Sequence, residues 1–370
     1  MVIIKSMKKI KRKLYLFAAV LVTLLFSGCF GGTEVRERAF VQLLGLEKAD
    51  GIYTVSLQLY KSESGSAEPD VSKANSVSVS GRGATVQSAL ADAEVNAGKK
   101  IFLGHIKLLI IGGGIENPSD ELALFLDGSV SPACPVAYSD DPAAVTEVLL
   151  EDGSFSAEQL MTIMSLTAAQ GKTVYTSAAK LASDTGVLDC AAALPILKAE
   201  KDTVSFDGLT FARKNGTAGY LSEEDAVGAK LLLNAFESGD KITVPVTADG
   251  KRASVFITGA KTCLKAEEIE GRLNISAEIK LKLYIAENAE GLSTTLIENA
   301  VRESVRDSCI SAFSSAAWYN SCDIYGIKKL VRRDCPDFYP LYCQNAEGFL
   351  TDSSLTVSVS SRLMRGAPAG

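Results

Sequence analysis

The 370-residue chain contains one histidine, His105, and that scarcity bounds most of the catalysis it could support. A Ser-His-Asp or Cys-His relay would have to pass through His105, and a multi-histidine metal centre is impossible. His105 stands inside the apolar run IFLGHIKLLIIGGG (101–114), where a lone histidine is expected to be a satisfied core residue. Gly112, Gly113 and Gly114 follow that run as a phosphate loop would, but the Lys-Ser/Thr that completes such a loop is missing. A tight exit turn is therefore expected. No G-x-S-x-G, H-E-x-x-H or dinucleotide fingerprint occurs. The 44 acidic residues always offer carboxylate pairs, yet nothing singles one out for glycoside hydrolysis. The expectation is a protein that is not an enzyme, with no catalytic residue, cofactor or metal ligand.

One residue does stand in a context that implies chemistry. Cys29 ends the stretch LLFSGCFGGT (24–33), behind the apolar run Leu14–Phe26 and a basic segment carrying Lys5, Lys8, Lys9, Lys11, Arg12 and Lys13. The MKKIKRKLYLF that begins at Met7 is a complete basic region in itself. The apolar run is shorter than the ~20 residues a membrane-spanning helix needs. Basic region, short apolar run and small residues together describe a secretory signal over 1–28. Ser27-Gly28-Cys29 resembles the lipobox of bacterial lipoproteins, with Phe26 where leucine is preferred. The resemblance implies a diacylglycerol on the Cys29 sulfur and cleavage before it, so that 29–33 becomes a lipidated tether. Two acyl chains anchor stably where one is marginal, at about 0.8 kcal/mol per buried methylene. The alternatives are an ordinary signal peptide with a chance cysteine, or an uncleaved anchor helix.

The chain holds 38 basic and 44 acidic residues, a net charge of −6. Residues 1–28 contribute six of the positive charges and no negative one, which leaves −12 beyond them. Such an acidic exported domain is a poor partner for nucleic acid, whose phosphates need Lys and Arg. Seven further cysteines (Cys134, Cys190, Cys263, Cys309, Cys322, Cys335 and Cys343) never form a C-x-x-C pair, which argues against zinc or thioredoxin chemistry. They are expected to be mostly free, buried thiols, with Cys322, Cys335 and Cys343 the candidates if any pair forms.

The elements that would position these residues alternate between strand and helix. FVQLLGLEKADGIYTVSLQLY (40–60) reads as a hairpin about a polar turn at Lys48–Gly51, and the polar stretch 61–76 as an exposed loop. The next helix carries Val86, Ala89, Leu90 and Ala93 on one side, closes at Gly98 and places two lysines in its last turn. The apolar run around His105 then reads as a strand buried on both faces. Residues 119–183 read as largely helical, capped by Ser119. The charged KAEKD marks an expected boundary between a region 34–200, which could hold two subdomains, and a domain 203–365. That domain opens with two strands about Asn215-Gly216, then a helix capped by Ser222 with Asp225 and ending at Gly239. Strands fill 241–287. A long amphipathic helix over 292–314 follows, with Ile297, Val301, Val305, Cys309 and Phe313 at four-residue steps. The fold class expected is α+β, mixed sheets with packed helices in two to three domains, the last ending in that long helix.

Several stretches together resemble the Ger(x)C spore germination lipoproteins. CFGGTEVRERAFVQLLGLEKADG keeps Cys29, Glu34 or Glu37, Ala39-Phe40-Val41 and Gly45-Leu46, although Phe30-Gly31 replaces the family's Trp-Asp and Glu47 its aspartate. The Leu103-Gly104-His105 triplet and Ile110-Ile111-Gly112 continue the match, as do FDGLTFARKNGTAGYL and Asp323-Ile324-Tyr325-Gly326. Ile327 replaces an aromatic there, and Phe338 lies near the family tryptophan. The resemblance implies a subunit of a nutrient germinant receptor, lipid-anchored on the outer face of the cell or inner spore membrane and assembled with A and B subunits. Two alternatives share the anchor: a substrate-binding component of an ABC importer, and a cell-wall hydrolase.

Overall fold

The alternation after Phe40 becomes a long antiparallel pair in the computed structural model, which describes residues 38–61, 75–126, 129–148, 157–187, 190–200, 203–288 and 291–364. Strands β1 (Arg38–Ala49) and β2 (Ile52–Lys61) meet at Asp50 and Gly51, whose φ angles of 52° and 77° suit a two-residue hairpin turn. Strand β3 (Asn75–Gly83) adds antiparallel to β2, and helix α1 (Val86–Ala97) folds back over the pair. The Thr85 hydroxyl accepts from the Ser88 amide at its start, and Gly98 ends it at φ 62°. The two lysines fall beyond that end rather than in its last turn, and Lys100 instead reaches back 2.9 Å to Glu94.

The apolar run around His105 is not one strand. Strand β4 (Lys100–Phe102) pairs with β1, a turn over 103–107 interrupts, and only β5 (Leu108–Ile111) is buried throughout. Leu109 and Ile111 enter one core while Leu108 and Ile110 enter the other, so β5 is buried on both faces as expected. The glycines are an exit turn: Gly114 has φ 73°, and a Cβ there would stand 1.9 Å from the Lys48 carbonyl.

Residues 119–183 break into α2 (Pro118–Leu126), strand β6 (Val136–Tyr138), α3 (Pro142–Glu147), α4 (Ala157–Ala169) and α5 (Ala178–Ala182) with a π-helical turn at Ser183–Val187. The Asn117 carbonyl, not Ser119, receives the first amides of α2, because Pro118 starts the helix a residue early. Strands β7 (Ala192–Glu200), β8 (Thr203–Arg213) and β9 (Gly216–Leu221) complete a nine-stranded mixed sheet in the order β3-β2-β1-β5-β6-β7-β8-β9, with β4 beside β1. The links β1–β5, β5–β6 and β6–β7 are parallel, and the others along that order are antiparallel. Glu200 and Thr203 are register partners, so hydrogen bonding continues across the position of the expected boundary. Ala39–Gly370 form one compact unit.

Helix α6 (Glu223–Leu232) starts at Ser222, whose hydroxyl accepts from the Asp225 amide, and ends at Leu233, six residues before Gly239. A second sheet follows: β10 (Ile242–Ala248), β11 (Lys251–Ile269) and β12 (Arg272–Glu287) run antiparallel in sequence order. Helix α7 (Thr294–Phe313) crosses one face of it, capped by Ser293, with the whole four-residue stripe buried. Beyond α7 lie α8 (Ile327–Asp334), α9 (Tyr339–Gln344), α10 (Ala346–Thr351) and β13 (Ser354–Leu363), which joins the sheet parallel to β12. The architecture is thus α+β with mixed sheets, and the long helix is in place although a strand closes the chain's described part.

Candidate functional site

The loop between α7 and α8 builds the most unusual polar site among the described residues. Gly326 stands at the N-cap of α8 with φ 71° and has no side chain to receive the helix amides. Asp323 supplies the missing acceptor from three residues upstream. One carboxylate oxygen accepts from the Ile327 amide at 2.7 Å, the other from the Lys328 amide at 2.8 Å. The same residue reaches the first sheet: its backbone carbonyl accepts from the Ala191 amide at 3.0 Å, and the Cys190 thiol donates to its carboxylate at 3.5 Å. Asp323 therefore ties α8 to the segment that leads into β7.

The Asp323 side chain is 9% exposed. Burial raises its pKa, against the pull of the Lys328 and Ile327 amides, which favour the charged form. Burial and the neighbouring Asp323 carboxylate push the Cys190 thiol well above its ordinary range. Neither group is activated by this arrangement. The carboxylate is held as a cap, and the thiol is held protonated as its donor.

Two cavities are lined in part by Cys190 and Asp323. The larger, about 360 Å³, is bordered by Tyr175, Lys180, Asp184 and Lys329. Asp184, 9% exposed, pairs with Lys180 within its own turn and, at 3.6 Å, with Lys329 of α8. Two half-exposed lysines on one carboxylate leave an excess positive charge at the rim, and each such pair contributes little by itself. The smaller cavity, about 140 Å³, is bordered by Arg213, Cys322, Tyr342 and Glu347. Burial pushes the Cys322 thiol up to about 11.

A second buried pair braces the same region. Lys230 of α6 contacts Asp240 at 2.8 Å, with side chains 4% and 9% exposed, and donates to the Ala168 carbonyl at the end of α4. Asp240 also accepts from the Glu237 amide at 2.7 Å. The first and second halves are thus joined by polar contacts at Asp323, Asp184 and Lys230.

The residues named from sequence fall elsewhere. Cys29 lies outside the described residues. His105 is exposed in the turn after β4 rather than buried, with its ring 5.5 Å from those of Phe40 and Phe102. Gly104 and the break between β4 and β5 put it there. None of the seven cysteines among the described residues is in a disulfide; Cys134, Cys190, Cys309 and Cys322 are buried, while Cys263 and Cys343 are exposed at sheet and helix surfaces. None of Cys322, Cys335 and Cys343 is paired. No group of three or more His, Cys, Asp or Glu side chains among the described residues is arranged to hold a metal. No helix among them is long and apolar enough to cross a membrane. Asp323 was visible only as the first residue of a four-residue motif; its reach to Cys190 has no local signature.

Comparison with known proteins covers both halves. Residues 31–198 match the family model described as the spore germination protein N-terminal domain, and residues 207–365 the model described as spore germination B3/GerAC like, C-terminal. YfkR of Bacillus subtilis (strain 168), a protein named for spore germination, is 23% identical over 324 residues, covering 79% of this chain and 81% of the relative. The crystal structure of the GerBC protein superposes with a TM-score of 0.59 at 14% identity, covering 87% of this chain and 97% of that one. At that identity the likeness concerns the fold.

Proposed function

We propose a function from one premise: the chain belongs to the GerAC-like family of spore germination proteins, matched by both of its domain models in order. The role is in spore germination, as a subunit that works by assembly rather than catalysis. In the finer reading, the chain is exported as a lipoprotein through Cys29. The lipid holds it on the outer face of the cell membrane or inner spore membrane, beside the A and B subunits of a nutrient germinant receptor. The tandem order of the two matched domains behind a lipobox-like stretch is the observation that carries this reading. The joined halves support it as well. A body braced at Asp323, Asp184 and Lys230 suits a part that must present a fixed surface to neighbours.

The importer reading expects two similar lobes of alternating strand and helix around a cleft. The second half is instead an antiparallel meander covered by one long helix, which favours the germination reading.

Two experiments test the finer statements. Membrane fractionation should find the wild-type chain with membranes and the Cys29→Ala chain released; retention of the variant would point to an uncleaved helix. Affinity purification from detergent-solubilised spore membranes should recover a polytopic subunit and a large membrane subunit. Recovery of the chain alone under crosslinking would count against assembly.

A further inference from the structure

The second sheet has one covered and one bare face, and the bare face carries an arrangement that folding alone disfavours. On the covered side Ile279, Leu281 and Leu283 of β12 are 1%, 3% and 0% exposed beneath α7. On the other side Lys280 and Lys282 alternate with them and are exposed. Lys280 is the direct register partner of Lys261 on β11, and Lys282 is the register partner of Arg362 on β13. Both are like-charge pairs. Lys261 and Lys280 face each other across an antiparallel pair, where directly opposite side chains lie about 5 Å apart at Cβ and like charges are destabilising, while Lys282 and Arg362 stand side by side on parallel strands. No ion pair among the described residues engages any of these four cations. Lys265 extends the row; Glu267 and Glu278 lie beside it on the same face, and Glu287 lies at its far end opposite Ser254.

The row adjoins aromatic rings. Tyr284 lies two residues beyond Lys282 on the same face, opposite Phe256 of β11, and Lys241 sits 3.9 Å above the Phe256 ring. A cluster of cations that repel each other in an otherwise acidic chain calls for an anionic partner. Lysines on flexible stems, spread over a sheet rather than converging in a pocket, suit a diffuse anionic surface better than a single forked anion. Aromatic side chains beside them suit a boundary between water and hydrocarbon.

We infer that the bare face of β11–β12–β13 docks on an anionic membrane, with Lys261, Lys280, Lys282 and Arg362 against acidic lipid headgroups. The inference rests on the reading that the chain works at a membrane, and assigns the side of the body that faces it. Charges near such a surface act within about one Debye length, ~8 Å at physiological salt, so the local row outweighs the distant net charge.

The test uses the chain from Phe30 onward, which retains the compact unit Ala39–Gly370 and carries no lipid. It should sediment with vesicles containing phosphatidylglycerol, not with vesicles of phosphatidylcholine alone, and should be released at high salt. The double variant Lys280→Glu with Lys282→Glu should bind at least roughly tenfold more weakly. The same variant places unlike charges opposite Lys261 and Arg362, so its Tm should hold or rise, which separates lost docking from lost folding. The neutral pair Lys280→Gln with Lys282→Gln should fall between. Failure to sediment with anionic vesicles, equal binding to neutral ones, or undiminished binding by the reversed variant would overturn the assignment. Retention on poly-glutamate without vesicle binding would overturn it too, in favour of an acidic protein partner. Fractionation of the Cys29→Ala chain tests the anchor separately.

Discussion

Cys190 and Asp323 are 133 residues apart in sequence, yet the thiol of one donates to the carboxylate of the other at 3.5 Å. That carboxylate is also the cap of α8, so one buried charge serves both the helix and the junction with β7.

Replacing Asp323 with Ala removes the acceptor for one buried and one part-buried amide and should lower stability by about 2–4 kcal/mol, measured by urea unfolding. Asp323→Asn gives the pH signature. Because burial raises the folded-state pKa of Asp323, the native chain binds its proton more tightly than the unfolded chain. Wild-type stability therefore carries a component that is present below the ordinary carboxylate pKa and lost as pH rises through the raised one. In Asp323→Asn that loss should be absent, so the stability of the variant relative to wild type should climb across this window. A flat difference would show that the amides cancel the effect of burial, and a fall that they outweigh it; either would contradict the raised pKa.

Lys230→Met should cost about 3–5 kcal/mol, because it leaves the Asp240 carboxylate buried without its cation. Adding Asp240→Leu should restore a large part of the loss. A double variant as unstable as the single one would mean that the Glu237 amide and Ala168 carbonyl contacts matter more than the charge pair.

Gly228 of α6 lets two helices approach closely. A Cβ there would stand 2.1 Å from the Ser308 carbonyl oxygen of α7, while the Gly228 amide donates to the Ser308 hydroxyl at 2.9 Å. Gly228→Ala should therefore destabilise by more than 1 kcal/mol, although alanine is the better helix former by about that amount. A stabilised variant would contradict the packing of α6 on α7.

Thiol labelling reads burial directly. In the folded chain Cys263 and Cys343 should react quickly, and Cys335 more slowly. Cys134 and Cys309, pushed up to about 12 by burial, should react only on unfolding, together with Cys190 and Cys322. Fast modification of Cys309 in the native state would place α7 wrongly.

Much of the fold could be read where one rule dominated. The α7 stripe, the hairpin at Asp50-Gly51 and the Ser222 cap are local patterns that tertiary contacts reinforced. Other elements were lost to competing signals. The apolar run around His105 looks continuous because hydrophobicity alone does not show that β4 stops at Phe102 and a turn follows. Strand β6 is three residues long, too short for periodicity to register. Strand β13 carries a period-two signal, since Leu355, Val357 and Val359 alternate with serine and threonine. The polar junction was illegible for a different reason. Asp323, Asp184 and Lys230 find partners on separate elements, and no spacing rule brings Cys190 to Asp323 or Lys329 to Asp184.

The central claim is a role in nutrient-triggered germination, and spores carry the most direct measurement. Spores of the encoding organism lacking this gene and its related paralogues should lose optical-density decrease in response to nutrients while still germinating by nutrient-independent routes, and the restored gene should recover the response. Normal nutrient germination in that strain would contradict the account.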